Sequence, residues 1–146
     1  MRLAMSEAKK CTPVESAYNV GAVIVHYSPE SDTTEILSVG HSRELPGNTH
    51  AEQCALDKVS KSDLAKLKDS KIFTTMEPCS LRVSGLKSCT DRILEHGLKH
   101  VYFAVKEPPH FVNCNGIQIL KDNGVTVVHT EELDQECKLL NSHLEK

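Results

Sequence analysis

The chain predicts an α/β fold, a three-layer α/β/α sandwich around a five-stranded mixed sheet. Three observations carry this. Strand-like and helix-like segments alternate along most of the sequence, which implies a mainly parallel sheet covered on both faces. The run Val20-Gly21-Ala22-Val23-Ile24-Val25 is continuously apolar and rich in β-branched residues, as in a strand buried on both sides. Turn formers from Ser28 to Asp32 separate it from a second strand-like run, Glu35 to Val39, so these two form a hairpin. At 146 residues the chain suits one domain, 1–146, with a sizeable core. No internal repeat, low-complexity segment or linker interrupts it.

The elements follow in order. Residues 2–10 favour helix, with Leu3, Ala4 and Ala8 as a weak apolar face, and Thr12-Pro13 stops it. After the hairpin, Leu45-Pro46-Gly47-Asn48 forms a loop leading to a helix over about Ala51 to Ser60, with Thr49 or Asn48 as N-cap. Lys71 to Thr75 is a short third strand. Ser88 followed by Asp91 has the form of a helix start, and that helix runs to His96 with Gly97 closing it. His100 to Val105 is the fourth strand. Ile117 to Asn123 is a helix closed by Gly124, and Val125 to His129 the fifth strand. A last helix spans Glu131 to about Leu144, with Leu133, Cys137, Leu140 and Leu144 on one face.

Composition narrows the function classes. A hydrophobic content of 39% and a charged content of 25% are ordinary for a soluble globular protein. A net charge of -3 without a long Lys/Arg run argues against nucleic acid as partner, because polynucleotide binders carry a basic stripe. The expected partner is a small molecule. The opening residues meet charge too soon for a signal peptide, and no apolar run approaches the roughly 20 residues that cross a bilayer. No membrane role is expected. Without a secretion signal, Cys11, Cys54, Cys114 and Cys137 read as free thiols of a reducing compartment: the cytoplasm, with the nucleus also open to a small protein.

The chemistry lies between His50 and Cys89. His50-Ala51-Glu52, then Glu77-Pro78-Cys79, then Cys89 offer one imidazole and two thiolates, a suitable set for Zn²⁺. Three protein ligands leave the fourth tetrahedral position to water, the arrangement of a catalytic zinc. Positive helix N-termini favour thiolate at such positions. Cys54, one turn after His50, is the residue to weigh as a fourth ligand, but deeper in the helix it points to the core. Glu52 sits close enough to handle that water without coordinating the metal, as a general acid/base. A surface glutamate alone would be only a solvated charge. In this context the pattern is H-x-E…P-C…C, that of zinc deaminases.

On these residues the chain resembles the cytidine-deaminase superfamily, and its fold is expected to be cytidine-deaminase-like. It departs from the common Cys-x-x-Cys spacing, since nine residues, Ser80 to Ser88, separate Cys79 from Cys89. Arg82 and Lys87 there offer cations, Ser80, Ser84 and Ser88 hydroxyls, and Gly85 close backbone approach, all suited to a phosphate and a polyol. The bland alternative is a solvated polar loop.

The extended pattern resembles the diaminohydroxyphosphoribosylaminopyrimidine deaminases of riboflavin biosynthesis. The matching residues are Asn19-Val20-Gly21, Gly40-His41, Pro46 to Glu52, Glu77-Pro78-Cys79-Ser80, the turn with Pro108, and Leu140-Asn141. The bacterial Gly-Arg-Thr-Pro-Pro-Cys loop is absent; Arg82-x-Ser84-Gly85 looks more like the fungal type. The resemblance implies that Asn19 and His41 contact the pyrimidine edge, that Ala51 belongs to the substrate site, and that a homodimer forms. It implies a zinc-dependent hydrolysis replacing the C2 amine of a ribitylamino- or ribosylamino-pyrimidine phosphate by a carbonyl. Two alternatives stay open: a nucleoside, nucleotide or tRNA-base deaminase with the same zinc chemistry, and a non-catalytic subunit of this fold, against which the presence of Glu52 argues.

Overall fold

The structure, a computed structural model, describes residues 1–108 and 115–145. Cys114 lies outside the described residues. Five strands, β1 (Gly21–Ser28), β2 (Thr33–His41), β3 (Ser70–Met76), β4 (His100–Val105) and β5 (Thr126–His129), form one sheet in the order β2-β1-β3-β4-β5. The hairpin β1–β2 and the pair β1–β3 are antiparallel, while β3–β4 and β4–β5 are parallel. The sheet is therefore mixed as expected, but its pairings divide evenly rather than being mainly parallel. β1 lies beside both β2 and β3 because its apolar run is buried enough to sit between neighbours on either side.

Helices cover both faces. On one lie α2 (Ala51–Asp57), α3 (Cys89–Glu95) and α4 (Gly116–Asp122), closing a core of Ile24, Ala55, Leu56, Ile72, Ile93 and Leu120 among others. On the other, α1 (Arg2–Ala8) and α5 (Asp134–Leu139) bury Met5 and Cys137 against Met76, Ala104 and Val105. Cys11, Cys54 and Cys137 are buried free thiols. No helix among the described residues is long and apolar enough to cross a membrane.

Several elements depart from the sequence expectation. The second helix ends at Asp57, and a 3₁₀ stretch, Lys61–Asp69, precedes β3. Only Leu67 of that stretch is buried, so its polar sequence gave no helical periodicity to read. The last helix is broken into 3₁₀ turns at Glu131–Leu133 and Ser142–Leu144 around α5. Cys137 is buried, with Leu133 and Leu140 packed beside it, and this short apolar contact does not extend the α-helix to Leu144. The N-cap of α2 is His50 itself; Thr49 turns its hydroxyl back to donate to Leu45 O at 2.9 Å. By contrast Ser88 does cap α3, accepting the Asp91 N–H at 3.1 Å. Gly97 and Gly124 end their helices at φ of 76° and 81°.

The approach of α2 to β2 sets where the site forms. A Cβ on Gly40 would lie 2.4 Å from Ala51 O and 2.5 Å from Ala55 N, so only hydrogen lets the helix seat. Gly40→Ala is expected to cost about 1–3 kcal/mol by overpacking, read as a lower midpoint in urea unfolding. An unchanged midpoint would mean that the helix seats without needing this contact.

Candidate active site

The site grows from the carboxyl end of β3 and the first residues of α2 and α3. His50 caps α2 in extended conformation and Cys89 is the first residue of α3, so each is aimed at the chain leaving β3 through Glu77-Pro78-Cys79. His50 Nδ1 lies 3.5 Å from both Cys79 Sγ and Cys89 Sγ. The ligand atoms of the three residues lie within 4.8 Å of one another. With zinc–sulfur and zinc–nitrogen bonds of ordinary length, a tetrahedral ion would separate nitrogen from sulfur by about 3.6 Å. The three donors therefore fit zinc by both chemistry and spacing. Cys54, wholly buried in α2, is not part of the group.

The electrostatics favour a cation at this point. Hydrogen bonding from the Cys89 thiol, followed by that from His50, draws the Cys79 thiol toward thiolate against the opposing effect of burial. The Cys89 N–H adds a bond to Cys79 Sγ at 3.3 Å. Cys89 is held in the thiol form first by that same bond to Cys79 and then by burial. Burial lowers the pKa of His50, but the hydrogen bond and charge of Cys79 more than reverse it. The Cys89 thiol and the His50 imidazole thus hold protons beside the Cys79 sulfur in the place a metal ion would fill.

Glu52 is 3% exposed, and burial pushes its carboxyl pKa up, with His50 pulling the other way. Its Oε1 accepts a hydrogen bond from Thr74 Oγ1 of β3 at 2.8 Å. Above these groups opens a cavity of about 280 Å³ whose walls include His50, Ala51, Glu52, Cys79, Arg82 and Ser84.

Other residues singled out from sequence sit elsewhere. Asn19 is buried beside the cavity rather than lining it. Its N–H donates to Asn141 Oδ1 at 2.6 Å, and its Oδ1 accepts from Arg43 Nη2 at 2.6 Å. His41 Nδ1 stands 3.2 Å from Glu44 and 3.6 Å from Glu7, outside the cavity lining. Those three residues form a second group of metal-type donors, but Lys10 pairs with Glu7 and Lys58 with Glu44. Two ammonium groups already serve the carboxylates, so the group suits no divalent cation.

The loop between the cysteines also differs from expectation. Lys87 pairs outward with Glu95 at 2.7 Å, and Gly85 turns the loop tip at φ 75°, neither lining the cavity. Arg82 is 6% exposed, and its guanidinium donates to Gln53 Oε1 at 3.0 Å and to Asn48 O. It clamps the loop onto the start of α2, a use of arginine that sequence spacing does not disclose.

Sequence reading missed Tyr18, Arg43 and Glu107 in the cavity wall and Thr74 beneath it, and gave Glu77, also in that wall, no role beyond its place in the motif. Burial, then the neighbouring Glu107 charge, raises the Glu77 pKa to about 6. The signal available for Thr74 was its place in an apolar strand just before Glu77-Pro78-Cys79, where a buried hydroxyl needs a partner.

Comparison with known proteins agrees with this geometry. Residues 1–105 match the cytidine and deoxycytidylate deaminase zinc-binding region. The chain is 43% identical over 138 residues to the diaminohydroxyphosphoribosylamino-pyrimidine deaminase of Schizosaccharomyces pombe, covering 94% of this chain and 33% of that protein. It thus spans about a third of that relative's length. It is 31% identical over 140 residues to the cytosine deaminase of Candida albicans, covering 94% of this chain and 81% of that one. The crystal structure of Aspergillus oryzae Rib2 deaminase in complex with DARIPP, a C-terminal deletion mutant, superposes with a TM-score of 0.79 at 31% identity. That match covers 99% of this chain and 89% of the other.

Proposed function

Because the chain belongs to the cytidine and deoxycytidylate deaminase zinc-binding family, we propose that it hydrolyses the C2 amine of a 2,5-diamino-6-(ribitylamino or ribosylamino)-pyrimidinone 5′-phosphate, releasing ammonia. The observation that carries the chemistry is a buried carboxylate, Glu52, in one cavity wall with His50 and Cys79, whose donor atoms gather with that of the wholly buried Cys89. The likeness to the S. pombe pyrimidine deaminase and to the Rib2 structure supports the substrate class.

His50, Cys79 and Cys89 would hold the zinc. When bound, the ion supplies Lewis acidity that brings a water close to ionisation at neutral pH. Glu52 takes the proton of the attacking water and passes it to a ring nitrogen beside the carbon bearing the amine. It then takes the remaining proton of the added hydroxyl as the carbonyl forms and delivers it to the nitrogen that departs as ammonia, so one carboxyl serves as base and acid in turn. Ala51, Arg82 and Ser84 belong to the walls against which the substrate lies. Asn19 and His41, implied at the pyrimidine edge, would have to act from beside the cavity, and Gly85 and Lys87 from the outer side of the loop. The reading keeps a homodimer, implied by the family resemblance, and a cytoplasmic location, expected from the free cysteines.

Ammonia release from the two pyrimidine phosphates should exceed that from cytosine, cytidine and deoxycytidylate by at least about 10²-fold in kcat/KM. Comparable rates on cytosine would move the substrate assignment to the simple base. A steep loss of polynucleotide binding with added salt would favour a tRNA-base deaminase instead.

A further inference from the structure

Thr74 lies in the middle of the sheet, wholly buried, in register with Ala22 of β1 and Phe103 of β4. Its hydroxyl has two acceptors in reach, Glu52 Oε1 at 2.8 Å and Met76 O at 3.0 Å. A hydroxyl carries one hydrogen and two lone pairs, so it donates to only one of these at a time. When it donates to Glu52, the carboxylate is fixed with Oε1 turned to the strand. When it donates to Met76 O, its oxygen becomes free to accept a hydrogen from Glu52. Both arrangements keep every heavy atom in place.

We propose that Thr74 is a positioning residue for Glu52, holding the carboxyl in one orientation through this buried hydrogen bond. This rests on the catalytic role given to Glu52 above. The strand end supports the assignment. Met76 O belongs to the segment that leads through Glu77-Pro78 to Cys79, so one hydroxyl ties the acid/base residue to the chain bearing a metal donor. The neighbouring Thr75 does different work: its Oγ1 accepts the Gly21 N–H at 3.1 Å, joining β3 to β1.

Valine matches threonine in shape and lacks the hydroxyl; serine keeps it. Two measurements on zinc-loaded Thr74→Val and Thr74→Ser decide the matter, with zinc content and the thermal midpoint recorded for each. In crystal structures, the Glu52 carboxyl should stay within about 0.5 Å of its parental place in Thr74→Ser and leave it in Thr74→Val, since productive geometry tolerates no more. With the ribitylamino-pyrimidine 5′-phosphate, kcat of Thr74→Val should fall roughly 10- to 100-fold, the scale for a misplaced catalytic group, with KM little changed. Thr74→Ser should recover most of it. An unmoved Glu52 in Thr74→Val overturns the proposal, as does a kcat loss that serine fails to rescue. If the parent protein releases no ammonia from that substrate, the functional reading falls, and the crystallographic comparison still decides Thr74.

Discussion

Replacement of Glu52 by glutamine is expected to lower turnover by about 10²- to 10⁴-fold, the usual contribution of a positioned general acid/base. Glutamine keeps the length and an amide oxygen that can still accept from Thr74, so the buried bond at 2.8 Å survives. The substitution removes the ability to take and return a proton while leaving His50, Cys79 and Cys89 untouched. Zinc content should therefore stay at one per chain, and the fold should be no less stable. Burial disfavours a charge at this position, and a neutral amide relieves that cost. The check is ammonia release beside elemental analysis of the same preparation. Equal activity in Glu52→Gln and parent would remove Glu52 from the mechanism; equal inactivity of both, with zinc bound, would favour the non-catalytic subunit.

The second large effect concerns the donor group. Cys89→Ala should abolish tight zinc binding and, with it, turnover, because two donors remain where a catalytic zinc needs three. Chelation of the parent protein should have the same functional result and a measurable thermodynamic one. Zinc that binds only the folded chain stabilises it by about 2.7 kcal/mol when present at 100 times its dissociation constant. For a chain of this size that is roughly 5–10 °C in thermal midpoint. The parent should therefore lose several degrees on treatment with a chelator, whereas Cys89→Ala should not respond. Cys89 is wholly buried at the first residue of α3, so the alanine also leaves a small void; the chelator response separates metal loss from packing loss. A variant that retains stoichiometric zinc and its chelator response would contradict the assignment of this thiol.

The clamp formed by Arg82 changes how the loop from Ser80 to Ser88 is understood. Its cation, expected from sequence to face a phosphate, is largely spent on Gln53 and Asn48. Those contacts bind the loop to the same helix start that carries His50 and Glu52. Leu81 and Val83, both exposed, extend over the cavity from the clamped base. The loop's length beyond Cys-x-x-Cys therefore serves the shape of the cavity wall, in addition to whatever polar groups Ser84 presents.

What the amino-acid sequence determined by itself was the chemistry that depends on short chain offsets. Zinc accepts few donor types, a helix start turns neighbouring residues toward one point, and so His50, Glu52, Cys79 and Cys89 were legible, as were the strand–helix alternation and the Ser88 cap. Apolar runs marked the inner strands β1, β3 and β4, because burial there leaves a distinctive stretch of sequence. Only the tertiary structure decided which polar side chains meet. Asn19 bonds Asn141 across 122 positions of chain, His41 meets Glu7 from another element, and Thr74 meets Glu52 across the sheet–helix interface. Such pairings follow from the order of strands and the seating of helices. A side chain's own type and neighbours in sequence specify what bonds it must make, while packing specifies with whom.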